Sequence, residues 1–472
     1  MSKNFFITST EERSGKSAIV LGVMQMLLKE IHRVAFFRPI ISDTESGDED
    51  QDINLVLEHF KLDIDYEDTF GCTLREAQEL INSGQQTLLH DTILNKYKKL
   101  EAEYDFILCE GTDYSSKDIA FESGINADIA ANLGAPILLV MSARNKTAEE
   151  LARLTQLSLD TLCTKGNEVL VCIINRAAKD LSTSVLRNIR LKTKPGEMLP
   201  FYAIPENPAT SNPTVGDVKR WLKADIMYGQ KSLTALVGNY VVAAMQIGNF
   251  LGYIEPDTLV ITPGDRSDII LSSLASRLSA SYPDISGIVL TGGLLPSPDV
   301  QKLIEGWAGM PVPILTVQGN TFQTIQQLNE LYGRIESHDT QRIATALGDF
   351  SHHVPVQELR DHVIQTRSTR ITPKMFEYAL LEKAGRNKQR IVLPEGNCER
   401  VLQAADILLR RGVVNLTVLG QRDDVMMRAA AIGMDLRWIE IIDPAQSELF
   451  EPFVAEYMKL RRHKGILEEV AR

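Results

Sequence analysis

The chain has 472 residues and a mass of 52.6 kDa, with 44% hydrophobic and 24% charged residues, a balance that excludes collagen-like, low-complexity and disordered classes. That length exceeds a single hydrophobic core, and at about 100–200 residues per domain it predicts three domains. A net charge of −12 and a pI near 5.3 repel nucleic acid and anionic membranes, so neither is expected as a partner, and small anionic ligands need local arginines or backbone amides.

Short apolar strands alternate with helices from the beginning. Phe5-Phe6-Ile7 precedes Ala18 to Ile31, then come Val34-Ala35-Phe36-Phe37, Phe106-Ile107-Leu108-Cys109, Pro136 to Met141 and Val169 to Ile174. This alternation predicts an α/β fold with a parallel sheet covered on both faces. Pro195, Pro205, Pro208 and Pro213 interrupt the pattern and place the end of a first domain, 1–213, near residue 213.

Between its first strand and first helix lies Thr8-Ser9-Thr10-Glu11-Glu12-Arg13-Ser14-Gly15-Lys16-Ser17, the setting of a P-loop. There backbone N–H groups and the helix N-terminus hold phosphates, Lys16 neutralises them and the Ser17 hydroxyl can ligate Mg²⁺. Thr10 stands where the first glycine is usual, which predicts a tighter loop. Glu110-Gly111 ends a strand with an acid able to reach a metal, and Asp43 to Asp52 is an acid-rich loop after another strand. The alternative is a loop that only caps its helix beside a solvated acidic run.

Three further strand–loop–helix units follow: Thr258 to Ile261 with Gly264-Asp265-Arg266, Gly287 to Leu290 with Thr291-Gly292-Gly293, and Ile314 to Val317 with Gly319-Asn320. They predict a second, small parallel α/β domain over 214–350, its loops at one edge. The bland reading of its glycines is turn chemistry, with Asp265 and Arg266 as a local ion pair. The polar stretch Ser351 to Arg370 reads as a linker or connecting helix.

The last segment, 371–472, has strands at Arg390 to Leu393, Asn415 to Leu419 and Trp438 to Ile442. Its Leu393-Pro394-Glu395-Gly396 turn, followed by Arg400 on a helix, sets a cation beside a loop of free backbone N–H groups, a site suited to an anion. Three strands leave an open edge and an uncovered face, so this segment is expected to be the opening part of a larger domain. The fold expected is therefore three consecutive parallel-sheet α/β domains, the first a P-loop fold and the last incomplete.

The P-loop, Phe36-Phe37-Arg38-Pro39, Glu110-Gly111 and Ile173-Ile174-Asn175-Arg176 together resemble the dethiobiotin synthetase and cobyrinate amidase branch of P-loop proteins. The resemblance implies nucleotide binding by Gly15, Lys16, Ser17 and Asn175, the asparagine reading adenine, and metal binding by Ser17, Asp52 and Glu110. Arg38 replaces the lysine that usually precedes that proline. Gly264-Asp265-Arg266 and Thr291-Gly292-Gly293 resemble the DRTGG domain, usually regulatory. Leu393 to Arg400 and Leu460-Arg461-Arg462-His463-Lys464-Gly465 resemble the start of the phosphate acetyl/butyryltransferase domain.

In that order the three segments resemble the long bacterial phosphate acetyltransferase family, whose reaction interconverts acetyl-CoA plus phosphate with acetyl phosphate plus CoA. The resemblance implies that Arg400 and Arg461 bind substrate, CoA or acetyl-CoA being the substrate of the complete enzyme. The family's serine, aspartate and further arginine lie beyond these residues, so no catalytic set is expected to be complete and the chain alone is expected to be inactive. Arg461 and Arg462 also read as cations at a helix C-terminus, and His463 as a surface residue. Mg-ATP or another nucleotide is the cofactor expected at the P-loop, acting as an effector. Two other functions fit less of the chain: a nucleotide-sensing regulatory or assembly module, and an ATP-dependent dethiobiotin synthetase-like ligase.

The five cysteines, Cys72, Cys109, Cys163, Cys172 and Cys398, form no CxxC pair and read as reduced thiols. No apolar run reaches the roughly 18 residues of a bilayer span, and Glu11-Glu12 precedes any signal-like core. A cytoplasmic homo-oligomer is the expectation.

Overall fold

A computed structural model of the chain describes residues 3–9, 11–43, 49–112, 119–178, 192–194, 197–307, 312–365, 372–434 and 439–472. Thr10 and Trp438 lie outside these residues, as do parts of the acid-rich loop and of the polar stretch before residue 371. The chain divides into two compact units, 1–370 and 371–472.

The first unit begins with β1 (Lys3–Ser9), β2 (Val34–Ile41), β3 (Phe70–Thr73), β4 (Phe106–Glu110), β5 (Ile137–Ser142) and β6 (Val169–Ala177). A short ribbon of β7 (Lys192–Lys194) and β8 (Glu197–Met198) leads to β9 (Phe201–Pro205). Seven of these strands form one sheet in the order β3-β2-β4-β1-β5-β6-β9, parallel throughout. Helices cover both faces, which is why β2 and β5 are buried at every position and read as unbroken apolar runs apart from Arg38 and Ser142. Proline-rich sequence hid β9, and β3 was too short to stand out.

Helix α1 (Lys16–Leu28) is apolar nearly all round because neighbours enclose it. One neighbour is the helix Thr340–His353, whose Phe350 is 1% exposed. A Cβ on Gly22 of α1 would overlap the Phe350 ring, so the glycine admits the close helix contact. Val354, Leu359 and Val363 join the same core. Residues 340–363 therefore return to the first sheet, and the described part of the polar stretch Ser351 to Arg370 holds the helix Val356–Gln365, the connecting-helix form of the expectation. Ile343, Ala346, Phe350, Val354, Leu359 and Val363, at near-helical spacing, face inward.

Five more strands form the second sheet of this unit: β10 (Asp225–Tyr228), β11 (Asn239–Val242), β12 (Thr258–Pro263), β13 (Ile285–Thr291) and β14 (Ile314–Thr316), ordered β10-β14-β13-β12-β11. The three predicted strands form its centre. The sheet is not wholly parallel, since β10 runs antiparallel to β14 along one edge. The second unit holds β15 (Arg390–Leu393), β16 (Asn415–Leu419) and β17 (Glu440–Ile442), parallel and in sequence order. Ile391 and Val392 of its edge strand β15 are 40% and 51% exposed. The mixed α/β class with mostly parallel sheets matches the expectation.

Cys72, Cys109 and Cys172 are buried. Burial pushes all three thiols up, Cys72 and Cys172 to about 12, so almost no thiolate exists at pH 8.

Removing the Phe350 ring should destabilise the first unit by about 3–5 kcal/mol, read from urea unfolding of Phe350→Ala. A surface linker residue would change stability by less than about 0.5 kcal/mol. Titration with a thiol reagent at pH 8 should label only Cys163 and Cys398 quickly, with Cys72, Cys109 and Cys172 reacting after denaturation.

Candidate nucleotide site and its neighbours

Parallel sheets place ligand loops at the C-terminal ends of their strands, and three such ends meet here. The P-loop leaves β1, Glu110 ends β4 opposite Ile7 of β1, and Arg38 lies on β2 beside β4. The loop's last residue, Gly15, caps α1 in the left-handed region at φ 78°. An added Cβ would also collide with the Asn175 side-chain amide, so both conformation and space call for glycine. Asn175 donates from Nδ2 to the Ser14 carbonyl at 2.8 Å, bracing the loop from the end of β6.

Lys16 is 3% exposed; its Nζ donates to the Gly111 carbonyl and lies 3.6 Å from Glu110 Oε1. Ser17 Oγ donates to Asp52 Oδ1 at 2.7 Å. Asp52 begins α2 (Gln51–Phe60), and Asp50 caps that helix, accepting from the Asp52 and Ile53 amides at 3.1 Å each. The cluster also contains Arg38, 2% exposed, whose Nη1 is 2.6 Å from Asp50 Oδ1 and 2.8 Å from Asp52 Oδ2. Its Nε is 4.0 Å from Glu110 Oε2. Two cations thus face three carboxylates, so each buried cation has an anionic partner.

Above this cluster opens a cleft of about 810 Å³, within the usual range for small-molecule sites. Gly15, Lys16, Ser17, Asn175, Arg38 and Asp52 line it, whereas the fully buried Glu110 does not. Ser17 and Asp52 thus border the cleft, whereas Glu110 lies beneath it beside Lys16. Among the described residues no group of three or more His, Cys, Asp or Glu forms a metal cluster.

The far wall comes from the chain on either side of the second sheet. Tyr332 lies with its ring 4.5 Å from the Arg13 guanidinium and 4.7 Å from that of Arg334, and Arg13 donates to the Glu330 carbonyl at 3.0 Å. Arg334 reaches Gln51 at 3.2 Å, and Trp221 adds an exposed ring to the wall. Sequence reading missed Tyr332, Arg334 and Trp221, since no local motif marks them.

The glycine turns of the second sheet are turn chemistry. Gly292 and Gly293 have φ of 83° and 66°, and their amides donate to the Gly319 and Val317 carbonyls. Arg266 forms a bidentate pair with Asp268 at 2.9 Å and not with the expected Asp265, because Asp268 lies in the first turn of the next helix, Ser267–Arg277.

In the second unit, the Pro-Glu-Gly turn is less open than expected. The Gly396 amide donates to Leu419 at 3.0 Å and that of Cys398 to Glu395 at 3.0 Å. Arg400 is exposed on the helix Glu399–Arg410. Arg461 ends the helix Phe450–Arg461 with its guanidinium 5.8 Å from the Tyr457 ring. Both guanidinium groups remain clear of ion pairs among the described residues, whereas His463 is exposed on a short turn.

Three family models match in succession: an AAA domain over 3–214, a DRTGG domain over 217–331 and a phosphate acetyl/butaryl transferase over 375–472. A phosphate acetyltransferase of Nitratidesulfovibrio vulgaris is 52% identical over 100% of this chain and 67% of its own length. The chain belongs to the phosphate acetyltransferase family. One from Synechocystis is 36% identical over 100% of this chain and 68% of its own, so the chain spans about two thirds of these relatives. The EutD phosphotransacetylase from Staphylococcus aureus is 39% identical over 20% of this chain and 28% of its own, with a TM-score of 0.18. Among the described residues no helix is long and apolar enough to cross a membrane.

Within this family member, Arg38→Met should strand Asp50 and Asp52 and lower stability by about 3–5 kcal/mol, measured by urea unfolding. Arg38→Lys should recover only part, because one ammonium cannot reproduce the guanidinium fork.

Proposed function

We propose that this phosphate acetyltransferase polypeptide binds a nucleotide in the P-loop cleft as an effector, while the acyl-transfer chemistry belongs to the segment that begins at residue 371. The observation that carries this reading is Gly15-Lys16-Ser17 at the head of α1, opening into the cleft of about 810 Å³. Backbone amides at a helix N-terminus and a buried lysine suit a β- or γ-phosphate. Among the described residues the cleft wall contains neither His nor Cys, which favours binding over acyl transfer there.

In this reading Lys16 turns from the Gly111 carbonyl toward phosphate, with Glu110 beside its ammonium. Asn175 braces the loop and borders the base. Ser17 and Asp52 would hold a Mg²⁺ brought by ATP, whose contribution is to neutralise phosphate charge. The wall built by Trp221, Tyr332 and Arg334 lets a bound nucleotide touch residues on both sides of the cleft, a geometry suited to regulation. In the second unit Arg400, exposed, and Arg461, half-buried, are assigned to the phosphate and CoA groups of the substrates, both being guanidinium forks suited to oxyanions.

Calorimetric titration with Mg-ATP tests the nucleotide reading. Saturable binding is expected for the wild type, with Lys16→Ala weaker by about tenfold or more, the usual loss for a charge-assisted contact. Equal affinity in the two proteins, or no binding by either, would overturn it.

A further inference from the structure

The cations of the P-loop cluster all face carboxylates, but the next residue along the cleft does not. Arg176 follows Asn175 near the end of β6 and lines the cleft. It is 9% exposed and makes no hydrogen bond or ion pair among the described residues. Its backbone sits in the left-handed region at φ 57°, sparsely populated by side-chain-bearing residues and common at functional positions. The guanidinium lies next to the P-loop: a Cβ built on Gly15 would fall 3.5 Å from Arg176 Nε.

Its surroundings add to the excess of positive charge. Burial, followed by the nearby charge of Arg144, pushes the Arg176 guanidinium down from its ordinary value, and Arg13 acts in the same direction. Glu206 opposes them, yet its Oε1 is already 2.8 Å from Arg144 Nη2. Arg13 is directed to the Glu330 carbonyl and the Tyr332 ring. Among the described residues, Glu206 is the one carboxylate whose charge acts on Arg176, against those of Arg144 and Arg13. Desolvating a cation without an anionic partner is costly, and guanidinium forks match the oxygens of phosphate-type anions.

We propose that Arg176, assisted by Arg13 on the cleft wall and by the nearby charge of Arg144, forms an oxyanion site in this cleft that is separate from the Gly15-Lys16-Ser17 cradle and takes a phosphate group. The ring of Tyr332, engaged by Arg13 and Arg334, frames the site instead of stacking a base. The site does not rest on nucleotide binding at the P-loop, because its cations come from β6, from the loop after β5 and from Arg13. Free phosphate and a phosphate carried by a nucleotide are two sources of the same chemistry.

The test uses the whole 472-residue chain with inorganic phosphate and, separately, ATP as probes, at constant ionic strength. Affinities are read by calorimetry for wild type, Lys16→Ala, Arg176→Met and Arg13→Gln. Arg176→Met should weaken phosphate binding by about tenfold, as expected for loss of a charge-assisted contact, while Lys16→Ala, which removes the cradle's lysine, still binds phosphate. Should only ATP binding depend on Arg176, the oxyanion is a nucleotide phosphate and the site stands. Arg13→Gln changes an exposed side chain, so it supplies the same comparison if Arg176→Met fails to fold, with a smaller loss in the same direction. Affinities for both probes that are indifferent to Arg176 and Arg13 would overturn the site. Loss of phosphate binding in Lys16→Ala would place the anion in the cradle and overturn its separateness.

Discussion

A guanidinium buried inside a parallel sheet is tolerable only where carboxylates surround it, and Arg38 imposes that condition on the first unit. Its position on β2 requires Asp50 and Asp52 to come over the sheet from the start of α2 and Glu110 to end β4 at the same level. Glu110 in turn holds Lys16, and Asp52 holds Ser17. The two P-loop side chains that define the site are thus oriented by the same carboxylates that compensate Arg38. Desolvation makes each of these partners costly to remove, so the cluster couples stability to site geometry.

The cleft over this cluster is shared. One wall is the P-loop with the ends of β2 and β6; the other is the chain on either side of the second sheet, tied by Arg13 and Arg334 to Tyr332. The helix Thr340–His353 fixes that wall by packing Phe350 against Gly22 of α1. Arg342 of this helix, 4% exposed, donates to the Arg334 and Asn212 carbonyls and pairs with Asp217 at 3.2 Å. This helix therefore closes the first unit and positions residues that face the cleft.

Much of the fold was legible because its signals are local. Apolar runs such as Phe36-Phe37 and Phe106 to Cys109 lie where strands form, since a sheet covered on both faces admits little else. Loops with Gly15 or Gly292 appear where backbone needs positive φ. Short or edge strands escaped: β3, β9 and β10 carry few apolar residues or contain proline, and their pairing partners are distant in sequence. The site was legible to the same extent. Gly15, Lys16 and Ser17 follow a fixed spacing, whereas Tyr332 and Arg334 reach the cleft only through the return of a later helix.

By itself the sequence determined the α/β class, the P-loop, the two glycine turns of the second sheet and the order of motifs that marks the family, because each is written in neighbouring residues. Tertiary structure alone decided what the charged residues face. Arg38 could have met phosphate or carboxylate, Glu110 could have faced the cleft or Lys16, and Arg176 could have been paired or left without an anion. These outcomes depend on strand order, register and burial, which bring together residues more than a hundred positions apart and set the dielectric in which their charges interact.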